Sequence, residues 1–190
     1  MHLIPVVSGL VALAAIVAAV ALSRRGAAPP AAAMGMAGAG GKVDLRQAVL
    51  SREVLAGRPP GASGQMLCAL MDWGVGNGVA TLAAFDDGTV SLYTSAGGGV
   101  IGAGSRAAVR TAAEAFRSEV EKVRARFVPA TAYALPGTGS AIFWAVAADQ
   151  TWTSGPVPVG QIQQSPFWLA ASWQAAQATI GRMRETTSTR

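Results

Sequence analysis

The chain has one cysteine and one histidine among its 190 residues. With Cys68 alone no intrachain disulfide can form, which fits a reducing compartment. Its neighbours, Met66, Leu67, Ala69 and Leu70, make it a buried, inert thiol. The histidine is His2, so the rest of the chain has no imidazole. This excludes a Ser-His-Asp system, and no Cys/His metal spacing and no Walker-type phosphate loop is present. Charge is scarce too, at 13% of residues. Across residues 127–181 the one charged side chain is Asp149, yet that stretch holds Trp144, Trp152, Trp168 and Trp173, four of the five tryptophans. Soluble surfaces normally carry charge throughout.

What the chain does have begins at its N-terminal end. Residues 3–22 read LIPVVSGLVALAAIVAAVAL, without a charge, and Arg24 and Arg25 follow. At about 1.5 Å per residue, twenty such residues span roughly the 30 Å core of a bilayer. The n-region, Met1-His2, lacks Lys and Arg, and the run exceeds a typical signal-peptide core, so an uncleaved anchor is expected. A cleaved signal peptide ending near Ala19-Val20-Ala21, which would make this an exported domain, is the alternative. Because Arg24 and Arg25 flank its C-terminal end, the helix should sit N-terminus outside in the inner membrane, with the remainder cytoplasmic. Ser8, Ala12, Ala15 and Ala19 fall on one helical face, where small residues let a partner helix approach.

The anchor therefore occupies residues 1–25. Residues 26–41, GAAPPAAAMGMAGAGG, carry no charge and read as a tether or as an extended strap across a neighbour, with Met34 and Met36 favouring the strap. Residues 42–184 are enough for one domain, and 185–190 form a polar tail. Without Arg24 and Arg25, 13 basic residues are interleaved with 10 acidic ones, so no nucleic-acid footprint is present.

Pattern and punctuation give the element order. Asp44 caps a short helix over 45–50. Residues 65–73 read as a second helix, with Leu67, Leu70 and Met71 on one side. Residues 79–85 and 89–94 are strands joined by Asp86-Asp87-Gly88, the strongest hairpin signal in the chain. The paired acids of that turn are solvated turn residues. Ser105 caps an amphipathic helix with Val109, Phe116, Val120 and Phe127 on its apolar side and Arg110–Glu114 and Arg117–Glu121 pairs on the other. Strands at 141–148 and 151–154 follow, and a last helix runs from Pro166 to about Arg184. The expected fold is α/β (α+β): an antiparallel sheet of two hairpins flanked by helices.

That order, with VATLAAFDDGTVSLYTSAGGGVIGAGSRAAVRTAAEAF over residues 79–116, resembles the roadblock and profilin-like superfamily, and at residue level it is similar to uncharacterised bacterial proteins. The resemblance implies a platform that dimerises or supports small GTPases, so a homodimer is compatible with it. The added N-terminal anchor departs from the family pattern.

Two features remain as candidate sites. Gly97, Gly99 and Gly102 match G-x-G-x-x-G ahead of Ser105, a weak anion-binding candidate. The unit is not a parallel βαβ, so a structural turn is the simpler reading. Residues 167–173, FWLAASW, place large apolar groups around most of a helix, which then needs burial on all sides. Trp152, Phe167, Trp168 and Trp173 are accordingly the expected partner contacts. The sequence thus points to a non-catalytic, single-pass accessory or scaffold subunit on a larger membrane complex, for which a respiratory or photosynthetic host is compatible. A ligand-sensing or small-GTPase-regulating platform using residues 97–104 is the alternative. No cofactor and no metal is expected.

Overall fold

The computed structural model describes residues 44–55, 64–164 and 166–185. Residues 3–22, with Ser8, Ala12, Ala15 and Ala19, and the stretch 26–41 lie outside the described residues. No helix among the described residues is long and apolar enough to cross a membrane.

The chain enters through a short helix, α1 (Leu45–Leu50), whose first turn is capped by Asp44: its carboxylate accepts from the Gln47 N–H at 3.1 Å. A 3-10 turn at Glu53–Leu55 follows. The next segment is not the helix that its spacing suggests but a strand, β1 (Met66–Val75), with nine of its ten residues buried. A strand covered on both faces reads as a continuous apolar run, which over so few residues has no period to separate it from a buried helix. Its position explains the cover, because β1 lies in the middle of the sheet.

From β1 the chain makes a meander: β2 (Gly78–Phe85), β3 (Val90–Thr94) and β4 (Gly99–Val100). The Asp86-Asp87-Gly88 turn joins β2 and β3 as the sequence indicates, and the Asp87 carboxylate accepts from the Thr89 N–H at 2.8 Å. After α2 (Ala107–Val123) come β5 (Val128–Pro129), β6 (Ser140–Ala147), β7 (Thr151–Thr153) and β8 (Val157–Pro158). A single turn, α3 (Val159–Ile162), leads to the last helix, α4 (Ala170–Glu185). The sheet runs β4-β3-β2-β1-β6-β7-β5, with β8 on β6, and every pairing is antiparallel. The expected α+β class, an antiparallel sheet with flanking helices, is therefore present, and the sheet has eight strands rather than the four of two hairpins.

Two layers cover this sheet. On one face α2 and α4 pack over Met71, Trp73, Leu82, Val90, Leu92 and Phe143. On the other, Val49 and Leu50 of α1 and Leu55 meet Leu70, Ile142, Trp144 and Val146. The alternation of Ile142, Trp144 and Val146 against Phe143 is as the sequence suggests.

Three local expectations change. Ser105 does not cap α2: it ends a 3-10 turn, Ala103–Ser105, and Arg106 stands at the cap position without a side-chain capping bond. The cause is close packing, since a Cβ at Gly104 would overlap the Gly88 carbonyl oxygen, so the chain meets the β2–β3 turn before the helix starts. The i,i+4 pairs on α2 do not form. Arg110 and Arg117 donate instead to the carbonyls of Gly104 and Met66, at 3.2 and 3.0 Å, and Glu121 pairs with Arg124. Lastly, α4 begins at Ala170, so Phe167, Trp168 and Leu169 belong to the connector before it. The exposed side of α4 is Ala171, Gln174, Ala178, Arg182 and Glu185, which corrects the reading of a helix apolar all round.

Candidate functional site

Asp72 lies in the centre of β1, fully buried. A carboxylate there needs donors, because burying an unpaired charge is costly. Three side chains supply them. Thr81, directly opposite on β2, donates its hydroxyl to Oδ1 at 2.6 Å. Trp144 of β6, paired with Leu70 and so diagonal to Asp72, donates Nε1–H to Oδ2 at 2.7 Å. Arg46 comes down from α1 and donates Nε–H to the same oxygen at 2.9 Å.

The guanidinium has further work. Its two terminal nitrogens donate to the carbonyls of Tyr133 and Ala134 at 2.8 and 2.9 Å, and its carbon stands 5.5 Å from the centre of the Trp144 ring. The fork geometry of arginine suits this division of donors. One buried pair thus ties three pieces together: α1, the sheet centre and the segment around Tyr133. Burial pushes the Asp72 carboxyl above its usual range, opposed by the Arg46 charge and the hydrogen bonds from Thr81, Arg46 and Trp144. Tyr93, on β3 beside Thr81, also has a raised pKa, chiefly from burial, and its hydroxyl has no hydrogen-bond partner. With its acceptors engaged and no exposed surface, Asp72 acts as a clasp rather than as a base for an outside substrate.

Sequence reasoning missed this cluster. The signal was a lone acid inside MLCALMDWGV, which requires a buried partner once the run is a strand. Nothing local in the sequence marks Arg46 as that partner, 26 residues away.

Beside the clasp, on the same face of the sheet, runs a groove of about 850 Å³. Its lining includes Val79, Thr81 and Tyr93 from the sheet, the start of α1, and Gly97, Gly98 and Gly99. The glycine motif takes a different form from a phosphate cradle. Gly97 and Gly98, both at φ 90°, turn the chain from β3 into β4, and Gly99 is already paired with Tyr93 in the ladder. Gly102 opens the 3-10 turn, so the motif does not converge on the N-terminus of α2.

The four tryptophan-region candidates divide. Trp173 is 6% exposed and meets Trp73 edge to face with ring centres 5.1 Å apart, so its ring lies in the core. Phe167, Trp168 and Trp152 are half-buried. Trp168 stands 6.0 Å from Phe167 and 5.8 Å from Phe127. The 3-10 turn Arg124–Arg126, which ends α2, sets Arg124 over Trp152 at 5.2 Å and Arg126 over Trp168 at 5.8 Å. Phe167, Trp168 and Trp152 with two arginines therefore form one patch, and Val128, 59% exposed, adjoins it in sequence. Among the described residues no group of His, Cys, Asp and Glu is placed to hold a metal ion.

Comparison with known proteins gives no match: no protein family, no curated protein and no solved structure is detectably similar to the chain.

Proposed function

We propose that the protein is a non-catalytic, membrane-anchored accessory subunit whose domain docks on a larger membrane assembly. The observation that carries this reading is the patch of Trp152, Phe167 and Trp168 with Arg124 and Arg126. Half-buried tryptophan and arginine are the residue types that dominate interface energetics. The uncharged run at residues 3–22 supports it, as the anchor that holds the domain beside its partner with the N-terminus outside. Ser8, Ala12, Ala15 and Ala19 are the proposed helix-packing face. Trp173 leaves the contact set, because its surface is already used inside the domain.

The test is extraction of the full chain in mild detergent. Co-migration with a larger complex, lost in Trp168→Ala and in Arg126→Ala, supports the reading. A lone monomer overturns it. A ligand-sensing or small-GTPase-regulating platform would need the groove beside Gly97, Gly98 and Gly99 to be open to its ligand. A rise in Tm on adding inorganic phosphate or a guanine nucleotide would favour that second reading.

A further inference from the structure

Arg124 and Arg126 both stand over tryptophan rings, but their charges are not in the same condition. Arg124 pairs with Glu121 at 3.1 Å and donates to the carbonyl of Gly64. Arg126 is exposed, and its guanidinium rests over Trp168. Among the described residues no hydrogen bond or ion pair engages it. The chain has no acid left to give it. All ten Asp and Glu residues fall within the described stretches, and none of them meets Arg126. The two nearest in sequence, Glu121 and Glu119, are taken by Arg124 and Lys122.

That shortage has a consequence once the patch is covered. A surface that docks over Phe167 and Trp168 strips water from the guanidinium stacked there. A cation desolvated without a counter-charge opposes binding strongly. Whatever covers Trp168 must therefore bring acceptors of its own, and a carboxylate matches the planar fork of arginine in both shape and charge.

A lipid surface is the poorer fit. Attraction to anionic headgroups comes from clusters of about four to eight basic residues. This patch carries two, one of them already paired. Aromatic rings that anchor at a bilayer boundary also need their surface free for it, whereas guanidinium groups cover Trp152 and Trp168.

We infer, resting on the reading of this patch as the docking surface, that its partner is an acidic protein segment: an Asp or Glu carboxylate accepts from the guanidinium of Arg126, and a neighbouring apolar side chain seats in the cleft of about 360 Å³ beside Arg124, Phe127 and Trp152. The aromatic rings supply contact area, and the unpaired arginine selects the charge of the partner.

The test uses the full chain extracted in mild detergent. In a chain with Lys122→Arg and Arg126→Lys, a water-soluble carbodiimide joins an amine to a carboxylate in contact with it, with loss of water. Peptide mapping should find an amide between position 126 and an Asp or Glu of a different protein. Arg126→Met keeps an apolar stem on Trp168 but no charge. It should leave the complex at least roughly tenfold faster than wild type, and added salt should speed release of wild type more than of this variant. Arg126→Met bound as long as wild type, while Trp168→Ala is released, overturns the acidic partner and leaves the docking reading standing. Folded Trp168→Ala and Arg126→Met that both stay bound overturn the docking patch itself. No amide at position 126, or one formed only with a second copy of this chain, also overturns the inference. So does a blue shift of tryptophan emission in the purified chain that depends on phosphatidylglycerol in phosphatidylcholine vesicles and is lost in Trp168→Phe, which would assign the patch to the membrane.

Discussion

Arg46 and Asp72 meet at 2.9 Å in the middle of the sheet, and that pair fixes the first helix to the strand that every other strand is built around. It is a buried ion pair with a full set of hydrogen bonds on the acid and three on the cation. Such a pair contributes more to fixing one arrangement than to net stability, because both charges lose their water.

Breaking one side of it should therefore cost more than removing both. Arg46→Met leaves Asp72 without its counter-ion and frees two carbonyls, and it should destabilise the domain by about 3 kcal/mol or more. Arg46→Met with Asp72→Leu should recover a large part of that loss. Urea unfolding of the two single variants and the double variant measures the coupling. A double variant as unstable as the sum of the singles would contradict the clasp.

The raised Asp72 carboxyl has a pH consequence. The folded chain holds that proton more tightly than the unfolded one. Its contribution to stability therefore grows as pH falls through the raised value towards the ordinary carboxylate range, and shrinks as pH rises through the same window. Asp72→Asn removes this contribution. Urea midpoints of wild type and Asp72→Asn, compared between about pH 4 and about pH 7, should diverge, with wild type losing more stability on the way up. Parallel curves would contradict it.

Two tryptophans that look alike in FWLAASW should separate on substitution. Trp173→Ala removes a core ring packed on Trp73 and should cost about 3–5 kcal/mol. Trp168→Ala trims a half-buried ring beside Phe127 and Phe167 and should cost clearly less. Thermal unfolding of both variants decides the order, and equal losses would place Trp168 in the core as well.

Gly104 is the tightest seam between the β2–β3 turn and the start of α2. Gly104→Ala should destabilise by about 1–3 kcal/mol through forced displacement of the turn. Calorimetry checks it, and a neutral substitution would mean that the seam yields without cost.

Most of the fold was legible where local chemistry decides it. The Asp86-Asp87-Gly88 turn, the Asp44 cap and the apolar side of α2 follow from residues within a few positions of one another. The sequence misled where tertiary burial overrides period. MLCALMDWGV has no helical or strand alternation because both of its faces are covered, and only the sheet reveals that. The last helix, expected from Pro166, starts at Ala170 for a related reason: Phe167, Trp168 and Leu169 are apolar because they pack from a connector, not because they turn on a helix. The clasp was invisible because its two charges are far apart in the chain and Arg46 looks like any exposed helical arginine until α1 is laid on the sheet.

The proposed docking surface for a membrane partner is formed by Trp152, Phe167 and Trp168. Its most direct test is the native mass of the full chain after mild-detergent extraction, for wild type and for a Trp168→Ala variant whose Tm shows that the domain is still folded. Wild type should run at a mass well above that of one chain, falling to that of one chain in the variant. A wild-type chain that already runs alone, or a folded variant that stays in the complex, would contradict it.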